Sequence, residues 1–191
     1  GSAHALFTIT TSYVSSTTPV TITASYGGVS KSFTLTVSPI ALSTVTAPSP
    51  INSSSTASGA VNLNGAAPPG GTVVTLSSSN TSAITVPASM TVPAGASSVV
   101  VPITTLAVSS ATAVTITATY AGVSSTVSVT VNPPVTTTSM NPPVGVAGTS
   151  FTVTINGSGF VSGATNVNVA NQAITVSNVT VVTSAQLTAL F

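Results

Sequence analysis

The chain is almost without charge. Of 191 residues one is Lys or Arg, none is Asp or Glu, one is His, and Cys and Trp are absent. Charged residues make up 1% of the sequence, where about a quarter is usual in a globular protein. General acid–base catalysis therefore has only His4, Lys31 and three tyrosines to draw on. A serine nucleophile needs a base within reach and a third group to orient that base, so the many hydroxyls here have nothing to activate them. The reading is a non-enzyme with no catalytic residue. Calcium calls for several carboxylates and zinc for a set of His, Cys or carboxylate ligands, so no metal site and no cofactor is expected. A single Lys31 cannot neutralise a row of phosphates, which excludes nucleic acid as a partner. Without cysteine there is no disulfide framework, and stability must come from packing. No apolar run approaches the roughly 18 residues of a membrane span, and the first residues lack the basic and apolar regions of a secretion signal. Any signal or anchor is expected outside this segment.

What the chain does contain is Ser and Thr, 68 residues together, with 42% hydrophobic residues, 14 Gly and 13 Pro. β-Branched side chains favour pleated sheet over helix. The chain also repeats itself. Phe7 to Pro39 aligns without gaps on Val101 to Pro133 at an offset of 94, with 19 of 33 positions identical. Val20-Thr21-Ile22-Thr23-Ala24 recurs as Val114-Thr115-Ile116-Thr117-Ala118, and Tyr26, Gly28 and Val29 recur as Tyr120, Gly122 and Val123. Within these segments the period is two: Val114, Ile116, Ala118 and Tyr120 share one parity, Thr115, Thr117 and Thr119 the other. Ala121-Gly122, or Gly27-Gly28 in the earlier copy, fits the two-residue hairpin turn that needs positive φ. Further strands are expected at Ala57–Asn64, Thr72–Ser77, Ala83–Val86 and Ser97–Thr105. Such alternation predicts antiparallel sheets with one face in a core and one face of Ser and Thr in water.

A 94-residue unit has the size of a β-sandwich domain. Residues 40–133 are then one complete unit and residues 1–39 the C-terminal part of another. Prolines at Pro39 and at Pro133-Pro134 mark the junctions, since they interrupt ladder pairing. From residue 134 to 191 the pattern changes and a third, different domain begins. Few charges guard the strand edges, which leaves Pro39, Pro87, Pro93 and Pro102, bulges or neighbouring domains to do so.

The run from Gly59-Ala60-Val61 through Pro68-Pro69-Gly70-Gly71-Thr72-Val73-Val74-Thr75-Leu76 to Val92-Pro93-Ala94-Gly95 resembles the bacterial Ig-like (Big-type) repeats of surface proteins. The third segment resembles a TIG/IPT-type Ig-like domain, through Pro142-Pro143-Val144-Gly145, Phe151-Thr152-Val153-Thr154-Ile155 and Asn156-Gly157-Ser158-Gly159-Phe160. Here Phe151, Val153 and Ile155 form an inward face, and the glycines allow a bend that returns Phe160 to the core. The resemblance implies an all-β fold of tandem antiparallel Ig-like β-sandwiches in a cell-surface or secreted setting. It also implies more strands than residues 134–191 supply, so both ends of the segment are expected to fall inside domains.

Few residues stand out as sites. His4 aligns with Ser98 and reads as a surface residue. Lys31 aligns with Ser125 and shares the parity of Val29 and Phe33, yet its stem allows it to reach water at the rim. Tyr26 and Tyr120 read as core-edge residues rather than as a stacking platform for sugars. Asn52, Asn80, Asn156 and Asn178 each begin an Asn-x-Ser/Thr sequence, a weak glycosylation signal in so hydroxyl-rich a chain. Three functions fit: a stalk, spacer or fibre segment of a surface array; a filament or sheath subunit completed by strand exchange with neighbours; and an adhesion module for glycans or a receptor. The partners they imply are neighbouring Ig-like domains of the same or adjacent chains and, for the third, cell-surface glycans. Since almost nothing titrates near neutrality, the midpoint of thermal unfolding is expected to move by less than about 10 °C between pH 5 and 8. A larger shift in a calorimetric pH series would contradict this reading of the composition.

Overall fold

A computed structural model describes residues 6–163, 165–170 and 174–191 of the chain. Among these residues every regular element is a β-strand. The fold is all-β, a tandem of antiparallel β-sandwich units, as the alternating pattern requires.

The first unit contributes a hairpin, β1 (Thr18–Tyr26) and β2 (Val29–Val37), which form a two-stranded sheet of their own. The second unit holds nine strands: β3 (Leu42–Thr46), β4 (Ile51–Asn52), β5 (Thr56–Leu63), β6 (Thr72–Ser78), β7 (Ile84–Thr85), β8 (Ser89–Val92), β9 (Ser98–Thr105), β10 (Thr112–Tyr120) and β11 (Val123–Asn132). They form two sheets, ordered β4-β11-β10-β6-β8 and β3-β5-β9-β7, that close on one apolar core. The third unit is a single antiparallel sheet, β12-β13-β15-β14, built from β12 (Thr136–Asn141), β13 (Thr152–Ser158), β14 (Ser177–Thr183) and β15 (Gln186–Leu190).

The hairpin turns behave as their residues dictate. Ala121 and Gly122 have φ of 48° and 80°, and Gly27 and Gly28 have 57° and 79°, the left-handed pair that matches the twist of the flanking strands. This fixes the register: Tyr120 faces Val123, Ile116 faces Val127 and Thr112 faces Val131. The first hairpin repeats it with every number lowered by 94, from Tyr26 opposite Val29 to Thr18 opposite Val37. On the water side of each, hydroxyls pair across the strands at 2.8 Å, Ser25 with Ser30 and Thr119 with Ser124.

The core face of β10 and β11 is where alternation turns into stability. Val114, Ile116 and Ala118 on one strand and Val129 and Val131 on the other are buried, pressed against Val45, Val61, Val101 and Ile103 of the facing sheet. The hydroxyl-bearing residues between them point to solvent or to the rim. Two buried threonines depart from that rule in opposite ways. Thr105, at the end of β9, accepts a hydrogen bond from Ser55 N at 2.9 Å, and its hydroxyl lies 2.7 Å from the carbonyl of Asn52 and 3.0 Å from that of Ser55. It ties β9 to the turn after β4. Thr72 Oγ1 is equally buried but has no hydrogen-bond partner in the protein.

The two hairpins differ in what covers them. In the first, Phe33 is 75% exposed and Val20 is exposed as well, whereas their counterparts Val127 and Val114 are half-buried and buried in the core of the second unit. Equivalent repeat positions therefore carry unequal energetic weight at the two places. Ile116→Ala is expected to cost about 2–5 kcal/mol of stability, the usual range for truncating a buried branched side chain. Ile22→Ala, at the equivalent half-buried position, is expected to leave the main unfolding transition unchanged. Urea unfolding of both variants followed by circular dichroism would decide, and equal losses would contradict the assignment.

Candidate functional site

Three places could carry function: the scattered residues singled out from the sequence, the inner face of the first hairpin, and the open side of the third unit. His4 lies outside the described residues. Lys31 sits in β2 opposite Ala24 and is exposed, in keeping with a stem that reaches water. Tyr120 is half-buried and packs against the core of the second unit. Tyr26 occupies the same repeat position and is 93% exposed, contrary to the reading of both as core-edge residues. The cause is the uncovered hairpin face beneath it rather than a different local structure. Tyr13 reaches across to the second unit, where its hydroxyl donates to the carbonyl of Ala67 at 3.1 Å. Its repeat counterpart is Ala107, which has no hydroxyl to make the same joint.

The four asparagines fall on four separate elements and loops. Asn52 is exposed in β4, and its backbone carbonyl takes the hydroxyl of Thr105. Asn178 is exposed at the bulge of β14, with a φ of 49°. Asn80 is half-buried and shapes its own turn: its side-chain carbonyl accepts Ser82 N at 3.1 Å while its backbone carbonyl accepts Ala83 and Ile84 N. Asn156 is held at both ends, its amide donating to Ser139 Oγ and its side-chain carbonyl accepting from Gln186 Nε2, each at 3.0 Å. The structure thus spreads these residues instead of gathering them. Two amides face water and two serve cross-strand or turn bonding.

The apolar surfaces are larger than any of these. Beside the first hairpin, residues from Phe7 to Ser12, Val14 and the inner residues Val20, Ile22, Leu35 and Val37 line a shallow hollow of about 460 Å³. In the third unit an open groove of about 740 Å³ runs along the inner face of the sheet, bordered by Met140, Pro142, Val144, Phe151, Val167 and Ile174. Its floor is Val153, Ile155, Phe160 and Leu187, which with Ala189 make the small core of this unit. Phe151 and Phe191 close one end: their backbones exchange hydrogen bonds of 3.0 and 3.1 Å, and their rings stack at 6.4 Å. The inward face of Phe151, Val153 and Ile155 and the return of Phe160 are as the sequence pattern requires. The groove itself has no local signature in the sequence, because it depends on which strands lie opposite.

The bend that returns Phe160 explains its glycines. A Cβ on Gly157 would strike the carbonyl of Thr136 and come within 2.9 Å of Phe160. Gly159 has a φ of 75° and sits against the carbonyl of Pro134. Chemically, these surfaces offer apolar area, backbone and neutral hydroxyl or amide groups such as Thr137, Asn166 and Asn168, with no charged side chain. Among the described residues no group of three or more His, Cys, Asp or Glu could hold a metal ion, and no helix is long and apolar enough to cross a membrane.

Residues 134–190 match the IPT/TIG domain family, so the third unit is a TIG/IPT Ig-like domain. No curated protein sequence matches the chain. Among solved structures the chain is similar to the crystal structure of the S-layer protein SbsC domains 4 and 5. The identity is 22% and the TM-score 0.37, covering 60% of this chain and 58% of that one. The chain thus spans somewhat more than half the length of that structure.

Gly159→Ala is expected to destabilise the TIG/IPT unit by roughly 1–3 kcal/mol, since it combines a left-handed backbone with a blocked Cβ. Gly148→Ala, with a φ of 78° but open space around it, is expected to lose less. Denaturation of the two variants side by side checks this, and an equal loss would show that the contact with Pro134 is unimportant.

Proposed function

We propose that the chain is a non-catalytic structural segment, a stalk or spacer, of an extracellular or cell-surface protein built from tandem Ig-like domains. The observation that carries this reading is the repeated hairpin. Two segments 94 residues apart fold with the same turn and the same register, which is the mark of a unit used in series. Residues 1–39 are then the C-terminal part of a Big-type repeat, residues 40–133 a complete one, and residues 134–191 part of the TIG/IPT domain that follows. The function of such a segment is to hold length and orientation, and its partners are neighbouring Ig-like domains.

Composition supports the same reading. Nearly all side chains here are apolar, hydroxyl or amide, so the units interact through packing and backbone rather than through reactive groups. Tyr13 bonding to Ala67 is one contact of that kind between successive units. A second reading, a filament subunit closed by strand exchange, draws on the two uncovered apolar faces, one in the first unit and one in the third.

The intact mass of the denatured native polypeptide separates the two, measured together with its release by protease from intact cells. The stalk reading expects a chain far heavier than 18.4 kDa that carries more copies of the 94-residue unit and is cleaved from outside the cell. A native mass of 18.4 kDa would overturn it in favour of the strand-exchanged fibre.

A further inference from the structure

The chain enters the second unit through Pro39, Ile40 and Ala41, and one side chain grips that entry from both sides. Asn64, just after β5, accepts from Ala41 N through Oδ1 at 2.9 Å and donates through Nδ2 to the carbonyl of Pro39 at 3.2 Å. Its backbone N donates to the carbonyl of Ala41 at 3.1 Å. Between these bonds Ile40 packs against the core of the unit, where the next residue, Gly65, leaves room: a Cβ there would lie 3.2 Å from Ile40 Cδ1. Two residues further on, Ala67 is buried and tied to the loop after β8. Its N–H donates to the carbonyl of Ala96 at 2.7 Å, and its carbonyl accepts from Gly95 N at 2.9 Å. The other lone pair of that carbonyl takes the Tyr13 hydroxyl at 3.1 Å.

Tyr13 holds the place in its repeat that Ala107 holds in the second unit, in the loop between β9 and β10. That loop lies at the exit end of the unit, because β10 starts at Thr112 opposite Val131, next to the last residue of β11. The preceding repeat thus meets the corner Asn64–Ala67 with its own exit end, as units in series do. The next joint differs. Ala107 brings no hydroxyl to it, and the hydroxyls of Thr136 and Ser158, which open the TIG/IPT sheet, bond each other at 2.7 Å. Among the described residues every side-chain hydrogen bond of the TIG/IPT unit stays inside that unit.

We propose that the corner Asn64–Ala67 is a docking seat for the preceding Ig-like repeat, which it recognises by a phenol in the loop equivalent to that between β9 and β10. Repeat then stands on repeat at a fixed angle, while the chain bends at its junction with the TIG/IPT unit. The inference rests on the reading of the chain as a spacer of tandem units. Asn64 fixes where the chain enters, since one amide holds the backbone on either side of Ile40. A single attachment leaves the units free to swing about it, and Tyr13 adds a second one away from the linker. The carbonyl that it binds is already held by Gly95, so docking has no loop to order.

The test measures distances between spin labels in the full chain, which has no cysteine of its own to interfere. Thr34→Cys with Ser98→Cys spans the first joint and Ser98→Cys with Thr180→Cys the next, all at exposed residues. The first distance distribution is expected to be narrow and unchanged by salt, since no charge takes part, and the second to be broad. Tyr13→Phe keeps the ring and removes the hydroxyl. It is expected to raise the undocked fraction of the first pair several-fold, as loss of one hydrogen bond does, and to leave the second pair and the urea midpoint of the second unit as they were. Asn64→Ala is expected to broaden the first pair further. The proposal is overturned if Tyr13→Phe gives the wild-type distribution, or if the wild-type first joint is as broad as the second. A broad first joint in a chain far heavier than 18.4 kDa would overturn the seat and leave the spacer reading standing, whereas a native mass of 18.4 kDa with a narrow first joint would do the reverse.

Discussion

Val114, Ile116, Val129 and Val131 pressed between two sheets are what the rest of this protein depends on. With no disulfide and no ion pair to draw on, a unit is as stable as the apolar area its two sheets take from water, at about 25 cal/mol per Å². The second unit meets that condition and has a continuous core. The first hairpin and the TIG/IPT sheet have the same kind of apolar face without an equal amount of structure over it. The two hairpins share turn and register. The difference lies only in what stands opposite.

That division also separates what could be read in the sequence from what could not. The hairpin turns, the strands at β5, β6, β9, β10 and β11, and the inward face of β13 follow from period-two alternation and from glycine at the turns, and these are where the reading and the structure agree. The strand expected at Ala83–Val86 is present as β7, shortened to two residues, whereas β4 with two residues and β8 with four are too short for alternation to register. Within β3 a register shift between Leu42 and Thr44 interrupts the period. These strands exist because neighbours recruit them, as β11 does β4 through Val131 and Asn132.

Single residues show the same limit. Tyr26 and Tyr120 are the same residue at the same place in the repeat, yet one stands in water and the other against a core. Thr105 and Thr72 are both buried threonines, one tying three backbone groups together and the other without a partner. The asparagine sequences give no hint that Asn156 spans three strands while Asn52 and Asn178 face solvent. Residue type states what a side chain can do, and the opposite strand decides whether it does.

The short pairing of β4 with β11 has a mechanical side. The two strands run parallel, Ile51 beside Val131 and Asn52 beside Asn132, at the point where the chain leaves the second unit. A pull on the exit of that unit acts along the axis of β11, while its bonds to β10 and β4 lie across that axis. The bonds are then strained together in shear instead of opening one after another from an end. Under a pull along the chain, the last strand of the unit is thus held in a geometry that gives way less readily than strands opened from one end.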